Sequence, residues 1–249
     1  MKDKKTVIQV GTADGNDGVF CYLKTNGFNN YNVFFIEPNI YSKPLIEDRY
    51  KELNNKKIFS IAITEYDGDI DMFFDEDYKT GSSYHSSAKG NILDSDGETH
   101  TFPEFFSQSK DSITTLKVPC LKLNTFINKY LEPDTEIEHI FIDAEGYDCD
   151  IVSGIDFTNL KVNNITFEYL HAGGVNGGMD KKEFEEAVNN LQDNGFLLLD
   201  VEIEEQENHT YIKNWQEEGK YDVTFTHKRA IPNGKEESYA EVKFIKKEG

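Results

Sequence analysis

Hydrophobic and polar positions switch between two periods along this chain. Thr6-Val-Ile-Gln-Val10 is a short apolar run that reads as a buried strand. A glycine-bearing turn follows from Gly11 to Gly18, and Val19 to Thr25 then reads as a helix that Gly27 stops. Asn32-Val-Phe-Phe-Ile36 predicts a second strand, ending in Glu37-Pro38-Asn39. A helix is expected over Ser42 to Leu53, with Pro44 in its first turn, where a missing N–H costs little. Lys57 to Ile63 predicts a third strand. Strand, helix, strand, helix, strand at this spacing is the pattern of a parallel sheet covered by helices, and right-handed crossovers set its strands side by side.

Tyr66 to Leu116 breaks the rhythm. It is rich in Asp, Gly, Ser and Thr, with aromatic islands at Met72-Phe-Phe74 and Phe102 to Phe106, and predicts an insertion of hairpins or lid loops within one domain spanning 1–249. The alternation then resumes. Cys120 to Leu131 predicts an amphipathic helix, Glu138 to Asp143 a fourth strand, and Tyr147 to Ser153 a helix ended by Gly154. Ile165 to Leu170 predicts a fifth strand. A further helix is expected from an N-cap at Asp180 to Asn194, with Gly195 beyond its end. Phe196 to Ile203 predicts a sixth strand. Val223 to His227 and Ala240 to Lys246 are two further strands, one of them expected as an antiparallel edge strand. The fold class predicted is a doubly wound, Rossmann-like α/β sheet, mostly parallel.

Composition narrows the partners. The 249 residues carry 26 basic and 46 acidic side chains, a net charge of −20, which repels phosphate backbones and anionic lipid. Neither nucleic acid nor membrane is expected as a partner. Cys21, Cys120 and Cys149 are widely spaced, which argues against a disulfide framework and against a zinc site. The polar start, Met1 to Lys5, leads straight into a strand, and no apolar run approaches the roughly 18 residues of a membrane span. The expectation is a cytoplasmic protein.

Three features carry candidate chemistry. Glycines 11, 15 and 18 after the first strand let a backbone approach a ligand closely and let a helix pack on the sheet, although such turns often serve packing alone. Glu37 ends the second strand about 20 residues further on, where a carboxylate can accept hydrogen bonds from both hydroxyls of a ribose; the competing reading is a solvated loop acid. Asp143 and Glu145 follow the fourth strand, and Glu168 and His171 belong to the end of the fifth. Ligands of open α/β sheets bind beyond the carboxyl ends of strands, so these acids and one imidazole would converge beside a bound nucleoside. There they could take the proton of an attacking alcohol. The competing readings are helix capping for Asp143 and Glu145 and a structural histidine for His171.

Val7-Ile-Gln-Val-Gly-Thr-Ala-Asp-Gly15, Phe35-Ile-Glu-Pro38 and Ile140-Phe-Ile-Asp-Ala-Glu-Gly-Tyr-Asp148 resemble the FkbM family of class I methyltransferases, in the expected order, from about Val7 to about Val201. The resemblance implies S-adenosylmethionine as cofactor and a hydroxyl acceptor, often on a sugar or natural product. It places Gln9, Gly11, Ala13, Asp14 and Gly15 at the methionine end, and Glu37, followed by Pro38, at the ribose. Ala62 and Ile63 would flank the adenine, and Asp143 would lie near the transferred methyl. Ser82, Ser83 and His85 fall where the family has a Ser-rich segment and would stand at the mouth of the site. Two departures stand out: many relatives carry an acid at Gln9, and a common family Lys is replaced by Phe141.

Other readings share some of these residues. A nicotinamide-dependent oxidoreductase would use the glycines and Glu37, but Ala13 and Asp14 interrupt its Gly-x-Gly-x-x-Gly fingerprint. A catalytically silent relative would keep the fold alone, and transfer to nitrogen instead of oxygen is open at this level. Asp67, Asp69 and Asp71, and Asp94 to Glu98, lack the spacing of a calcium loop. No metal site is expected, although Asp143, Glu145 and Glu168 could hold magnesium.

Overall fold

A computed structural model describes residues 4–74, 78–81, 86–87, 91–93, 99–101, 113–168, 181–203, 224–227 and 241–246. The central sheet contains β1 (Lys5–Val10), β2 (Tyr31–Ile36), β3 (Lys56–Phe59), β10 (Glu136–Ile142), β11 (Lys161–Glu168), β12 (Phe196–Ile203), β13 (Thr224–His227) and β14 (Glu241–Lys246). Their order is β13-β12-β14-β11-β10-β1-β2-β3. Seven strands share one direction and β14 runs against them. The fold is a mostly parallel, Rossmann-like α/β sheet. The antiparallel strand expected toward the margin is β14; it is inserted between β11 and β12, and the parallel β13 lies outermost.

The apolar strands explain the two helical layers. Successive side chains of a strand point to opposite faces. Tyr31, Val33 and Phe35 of β2 therefore join one buried cluster, while Phe34 and Ile36 join the other. The first cluster is closed by Val19 and Leu23 of α1 (Gly18–Asn26) and Ile46 of α2 (Lys43–Arg49). The second is closed by α3 (Leu123–Tyr130), α4 (Asp148–Ser153) and α5 (Lys181–Asp193), through residues such as Phe126, Val152 and Phe184. Between α5 and α4, the Asn190 amide donates to the carbonyls of Val152, Ser153 and Ile155 at 2.9, 3.2 and 3.1 Å. Those carbonyls lie at and just past the end of α4, where the helix supplies no donors of its own.

The region from 66 to 116 contributes β5 (Gly68–Phe74), β6 (Ser86–Ser87), β7 (Asn91–Leu93), β8 (Thr99–Thr101) and the start of β9 (Thr114–Leu121). β5 and β9 pair antiparallel in a second sheet, ordered β4-β9-β5-β6, where β4 is Ala62–Ile63. Asp67, just before β5, holds the start of the helix that follows β9. Its carboxylate accepts from the Lys122 backbone N–H at 2.8 Å and the Thr125 hydroxyl at 3.0 Å, at the entry to α3.

Several predicted boundaries change. The third strand stops at Phe59, and Ala62 and Ile63 leave it to pair with Cys120 and Leu121 of β9. Cys120 and Leu121 thus belong to a strand, and the helix expected from residue 120 begins at Leu123. Apolar alternation over so few residues fits both elements, and pairing with β5 decides. α2 ends at Arg49, yet Tyr50 and Leu53 remain buried, because turns carry the chain on to them. The fifth strand begins earlier, at Lys161. Gly18 is exposed and a Cβ there would meet nothing within 4 Å, so it serves no close packing. Asp180 lies outside the described residues.

One buried titratable group sits inside the sheet. His139 of β10 stacks on Phe141 at 3.7 Å between ring centroids, and its Nε2 is 2.8 Å from the Thr166 hydroxyl. Burial, assisted by the positive charge of Lys243, lowers its pKa from 6.5 to about 3. The unfolded chain therefore takes up the proton first. The contribution of a neutral His139 is fully present above pH 6.5 and is lost as pH falls toward 3. Glu37 and Asp17 oppose it, because burial raises both and their folded forms hold protons longer. Comparison with His139→Asn isolates the histidine. From pH 7 to pH 5 the wild type should lose about 2 kcal/mol relative to the variant in urea unfolding. A difference that stays constant with pH would mean that the folded chain protonates His139 freely.

Candidate active site

The tips of β1, β2 and β10 and the short β4 converge on one crevice. It is lined by Val10, Gly11, Ala13, Ile36, Glu37, Pro38, Ile61, Ala62, Ile63, Met72, Asp143, Ala144, Glu145 and Tyr147. The convergence follows from parallel strands, which bring all their carboxyl ends to one edge of the sheet.

Gly11 makes the floor. It has φ +73°, and a Cβ built on it would lie 1.6 Å from the Asp143 carbonyl oxygen. The Gly11 N–H donates to the Ile36 carbonyl at 2.9 Å, and the Asp143 N–H donates to the Val10 carbonyl at 3.0 Å. Three strand tips are thus stitched together at the one position without a side chain. Gly15 has φ +77° and packs on Tyr50, where a Cβ would come within 2.8 Å of the ring.

Glu37 makes one wall. It is only 6% exposed. One carboxylate oxygen accepts from the Ala13 N–H and the other from the Asn39 N–H, each at 2.8 Å. Burial pushes its pKa above the usual carboxylate range, and these backbone donors pull the other way. Ala13 gives its N–H from a left-handed conformation, φ +44°, so the turn is bent to meet the acid.

The opposite wall is the turn from Asp143 to Tyr147. Glu145 is left-handed, φ +50°, a conformation that costs a non-glycine residue on the order of 1 kcal/mol or more. Asp148 holds it there. Its side chain is buried, and its two oxygens accept from the Ala144 N–H at 3.0 Å and the Gly146 N–H at 3.2 Å. The N-cap residue of α4, Tyr147, makes no side-chain cap bond. Asp148 thus closes the turn that leads into α4, and Asp143 and Glu145 both belong to the crevice lining. Asp148→Ala strands two donors and should destabilise the fold by roughly 2–4 kcal/mol in urea unfolding. Asp148→Asn keeps one acceptor and should cost about half as much. A loss under ~0.5 kcal/mol in the alanine variant would mean that the turn holds itself.

The roof comes from the second sheet. Met72 of β5 and the Ile61-Ala-Ile63 segment give an apolar surface. The Tyr147 hydroxyl donates to Glu65, which joins the turn to the segment leading into β5. At the rim, Asn39 donates to the Tyr78 carbonyl at 2.7 Å and Ser42 to the Gly81 carbonyl at 2.8 Å.

Of the residues singled out from sequence, Gly11, Ala13, Glu37, Pro38, Ala62, Ile63, Asp143 and Glu145 line this crevice together. Gln9, Asp14 and Gly15 do not. The buried Gln9 amide donates to Asp17, the N-cap of α1, because odd-numbered β1 residues face α1. Asp14 accepts from the Asn16 N–H at 2.8 Å and pairs with Arg49 at 3.7 Å. Glu168 stands at the end of β11 opposite Glu241 of β14 and is not in the lining. His171, Ser82, Ser83 and His85 lie outside the described residues. Ile61, Met72, Tyr147 and the turn-holding Asp148 escaped the sequence reading. An acid five residues after Asp143, in the first turn of the helix predicted over 147–153, was the available signal for the last. Among the described residues no group of three or more His, Cys, Asp or Glu could hold a metal ion, and no helix is long and apolar enough to cross a membrane.

Comparison with known sequences decides the family. The methyltransferase FkbM domain matches residues 9–198, about three quarters of the chain. The chain belongs to the FkbM methyltransferase family. The match spans the glycine turn, Glu37, the second sheet and the Asp143–Asp148 turn, so every wall of the crevice lies in the FkbM domain. Among solved structures, a methyltransferase FkbM from Methylobacillus flagellatus KT is similar at 12% identity and a TM-score of 0.43. That similarity covers 79% of this chain and 40% of the other, so this FkbM chain aligns with less than half of that protein. No curated protein matches.

Proposed function

We propose that this FkbM protein binds S-adenosylmethionine in the crevice and passes its methyl group to a hydroxyl oxygen of a sugar or small natural product. The observation that carries the reading is the buried Glu37 carboxylate at the tip of β2, facing a crevice whose roof is apolar. A nucleoside needs both features. Each Glu37 oxygen accepts one backbone N–H and keeps acceptor capacity for a ribose hydroxyl. Ile61, Ala62, Ile63 and Met72 offer a surface for a purine, and the Gly11 and Ala13 backbone leaves room for the amino-acid end. The residues present therefore fit the cofactor.

When bound, that cofactor supplies an electrophilic methyl carbon on a sulfonium. The protein's task is then to orient and to move one proton. The Asp143–Glu145 turn, locked by Asp148, holds carboxylates where an attacking hydroxyl can give up its proton. Fixed walls align the reacting atoms, which supplies much of the acceleration. The crevice lining contains no Lys, Arg or His among the described residues, which disfavours the pyrophosphate of a dinucleotide.

The test is calorimetric titration with S-adenosylhomocysteine and with NAD, followed by transfer of labelled methyl groups to a panel of glycans and amines. Binding of the first and methylation of a hydroxyl are expected. Binding of NAD alone would overturn the reading. Methylation confined to amines would correct the acceptor, and cofactor binding with no transfer would favour a catalytically silent module.

A further inference from the structure

We infer that the side-chain bond between Tyr147 and Glu65 is a strap that holds the crevice narrow, and that a nucleoside is admitted when this bond opens. The inference rests on the cofactor assignment above and goes beyond it to what lets the ligand in. The space between the crevice walls is about 70 Å³. Sites for small molecules take roughly 300–1,000 Å³. The crevice must therefore widen around a ligand of nucleoside size, and one of its joints has to give.

Three of the four joints are main-chain bonds between strand tips. The turn after β10 meets β1 through the Asp143 N–H and the Val10 carbonyl at 3.0 Å, and β1 meets β2 through the Gly11 N–H and the Ile36 carbonyl at 2.9 Å. β2 meets β3, the strand that leads on to the roof, through the Glu37 N–H and the Phe59 carbonyl at 2.9 Å. Opening any of these pulls the sheet apart. The fourth joint, from the roof to the Asp143–Tyr147 turn, is made by side chains among the described residues. Ile61, Ile63, Ala144 and Tyr147 share one apolar cluster, and the Tyr147 hydroxyl donates to the Glu65 carboxylate.

The backbone is fixed at both ends of that bond. Buried Thr64 donates its N–H to the Leu121 carbonyl at 3.0 Å and its hydroxyl to the Tyr66 carbonyl at 2.7 Å, which pins the chain around Glu65. The Tyr147 N–H donates to the Ala144 carbonyl at 3.3 Å inside the turn that Asp148 closes. Burial, and then the bond to Glu65, raise the pKa of Tyr147, so its hydroxyl keeps the proton it donates. Glu65 is exposed and stands outside the lining, so its side chain can turn into solvent without disturbing the core. Water competes for such a bond, which leaves it a small net strength. While it is closed it lowers the apparent affinity, in proportion to the fraction of molecules held shut.

Removing the strap should therefore tighten binding. Calorimetry on the full chain with S-adenosylhomocysteine tests this in Tyr147→Phe, Glu65→Ala and the double variant. Each single change should raise affinity by roughly three- to tenfold. The double variant should match the single ones, because one bond can be lost only once. Glu65→Gln keeps an acceptor oxygen and should lie closer to wild type than Glu65→Ala. Unchanged or weaker binding in Glu65→Ala would overturn the inference and leave the cofactor assignment standing. So would single effects that multiply in the double variant, or a Glu65→Gln result equal to Glu65→Ala, which would point to charge instead of the bond. Binding in neither wild type nor any variant would remove the cofactor assignment itself, and the strap with it.

Discussion

Gly11→Ala should destabilise the protein by roughly 3–5 kcal/mol and abolish cofactor binding in whatever fraction still folds. Two costs combine. The backbone at φ +73° disfavours any residue with a Cβ. The new carbon would also sit 1.6 Å from the Asp143 carbonyl oxygen, which is backbone and cannot rotate away. Relief requires β1 and β10 to part at their tips. That motion strains the bonds from Asp143 N–H to Val10 and from Gly11 N–H to Ile36. The crevice floor is the place that would move, so stability and binding should fail together. Urea unfolding gives the first quantity and calorimetry with S-adenosylhomocysteine the second. A variant within ~1 kcal/mol of wild type with intact binding would refute the account of the three stitched strands.

Glu37→Gln should weaken cofactor binding by roughly 10–100-fold. An amide keeps the shape of the carboxylate but has one acceptor oxygen in place of two. Its NH₂ would face one of two backbone donors, Ala13 N–H or Asn39 N–H, each now 2.8 Å from an oxygen. One buried donor is stranded, and the charge-assisted bonds available to a diol become ordinary ones. The pH dependence gives an independent check. Burial raises the pKa of Glu37, so its protonation sets in at a higher pH than for an exposed glutamate. Cofactor affinity should therefore fall as pH drops through that raised value, and the Gln variant should lack this step. The effect on folding has the opposite sign. A raised folded-state pKa makes the contribution of Glu37 to stability fullest below the unfolded value, and that contribution is lost as pH rises through the folded one. Wild-type and variant affinities that move in parallel as pH falls would remove Glu37 from the binding site.

These predictions share one feature of the architecture. The left-handed residues of the crevice, Gly11, Ala13 and Glu145, lie on different walls; Gly11 and Ala13 are held by partners from other segments, and Glu145 by its own turn. Gly11 fits against Asp143, Ala13 bonds Glu37, and the turn of Glu145 is closed by Asp148. Strain spread over separate segments persists only while the sheet keeps them together. The crevice and the fold should therefore melt as one unit.

The sequence by itself determined the elements with strong one-dimensional signatures. Thr6–Val10 and Asn32–Ile36 are apolar on both faces, which only a sheet covered on both sides can bury, and that settles a doubly wound α/β core. Gly11 and Glu37 were legible because the turn and the strand tip around them are local. What the tertiary structure alone decided is where distant segments meet. Whether Cys120 and Leu121 continue a strand or open a helix depends on their pairing with residues 62, 63 and 68, and no periodicity in so short a stretch encodes that. Gln9 looked like a binding residue from its place in the chain, yet strand alternation turns it toward α1 and Asp17. Asp148 looked like one acid among 46, and only the folded turn reveals the two N–H groups that it accepts from. Local sequence sets the conformation a segment prefers. The partner that completes its hydrogen bonds and its packing comes from across the sheet, and only the assembled fold chooses it.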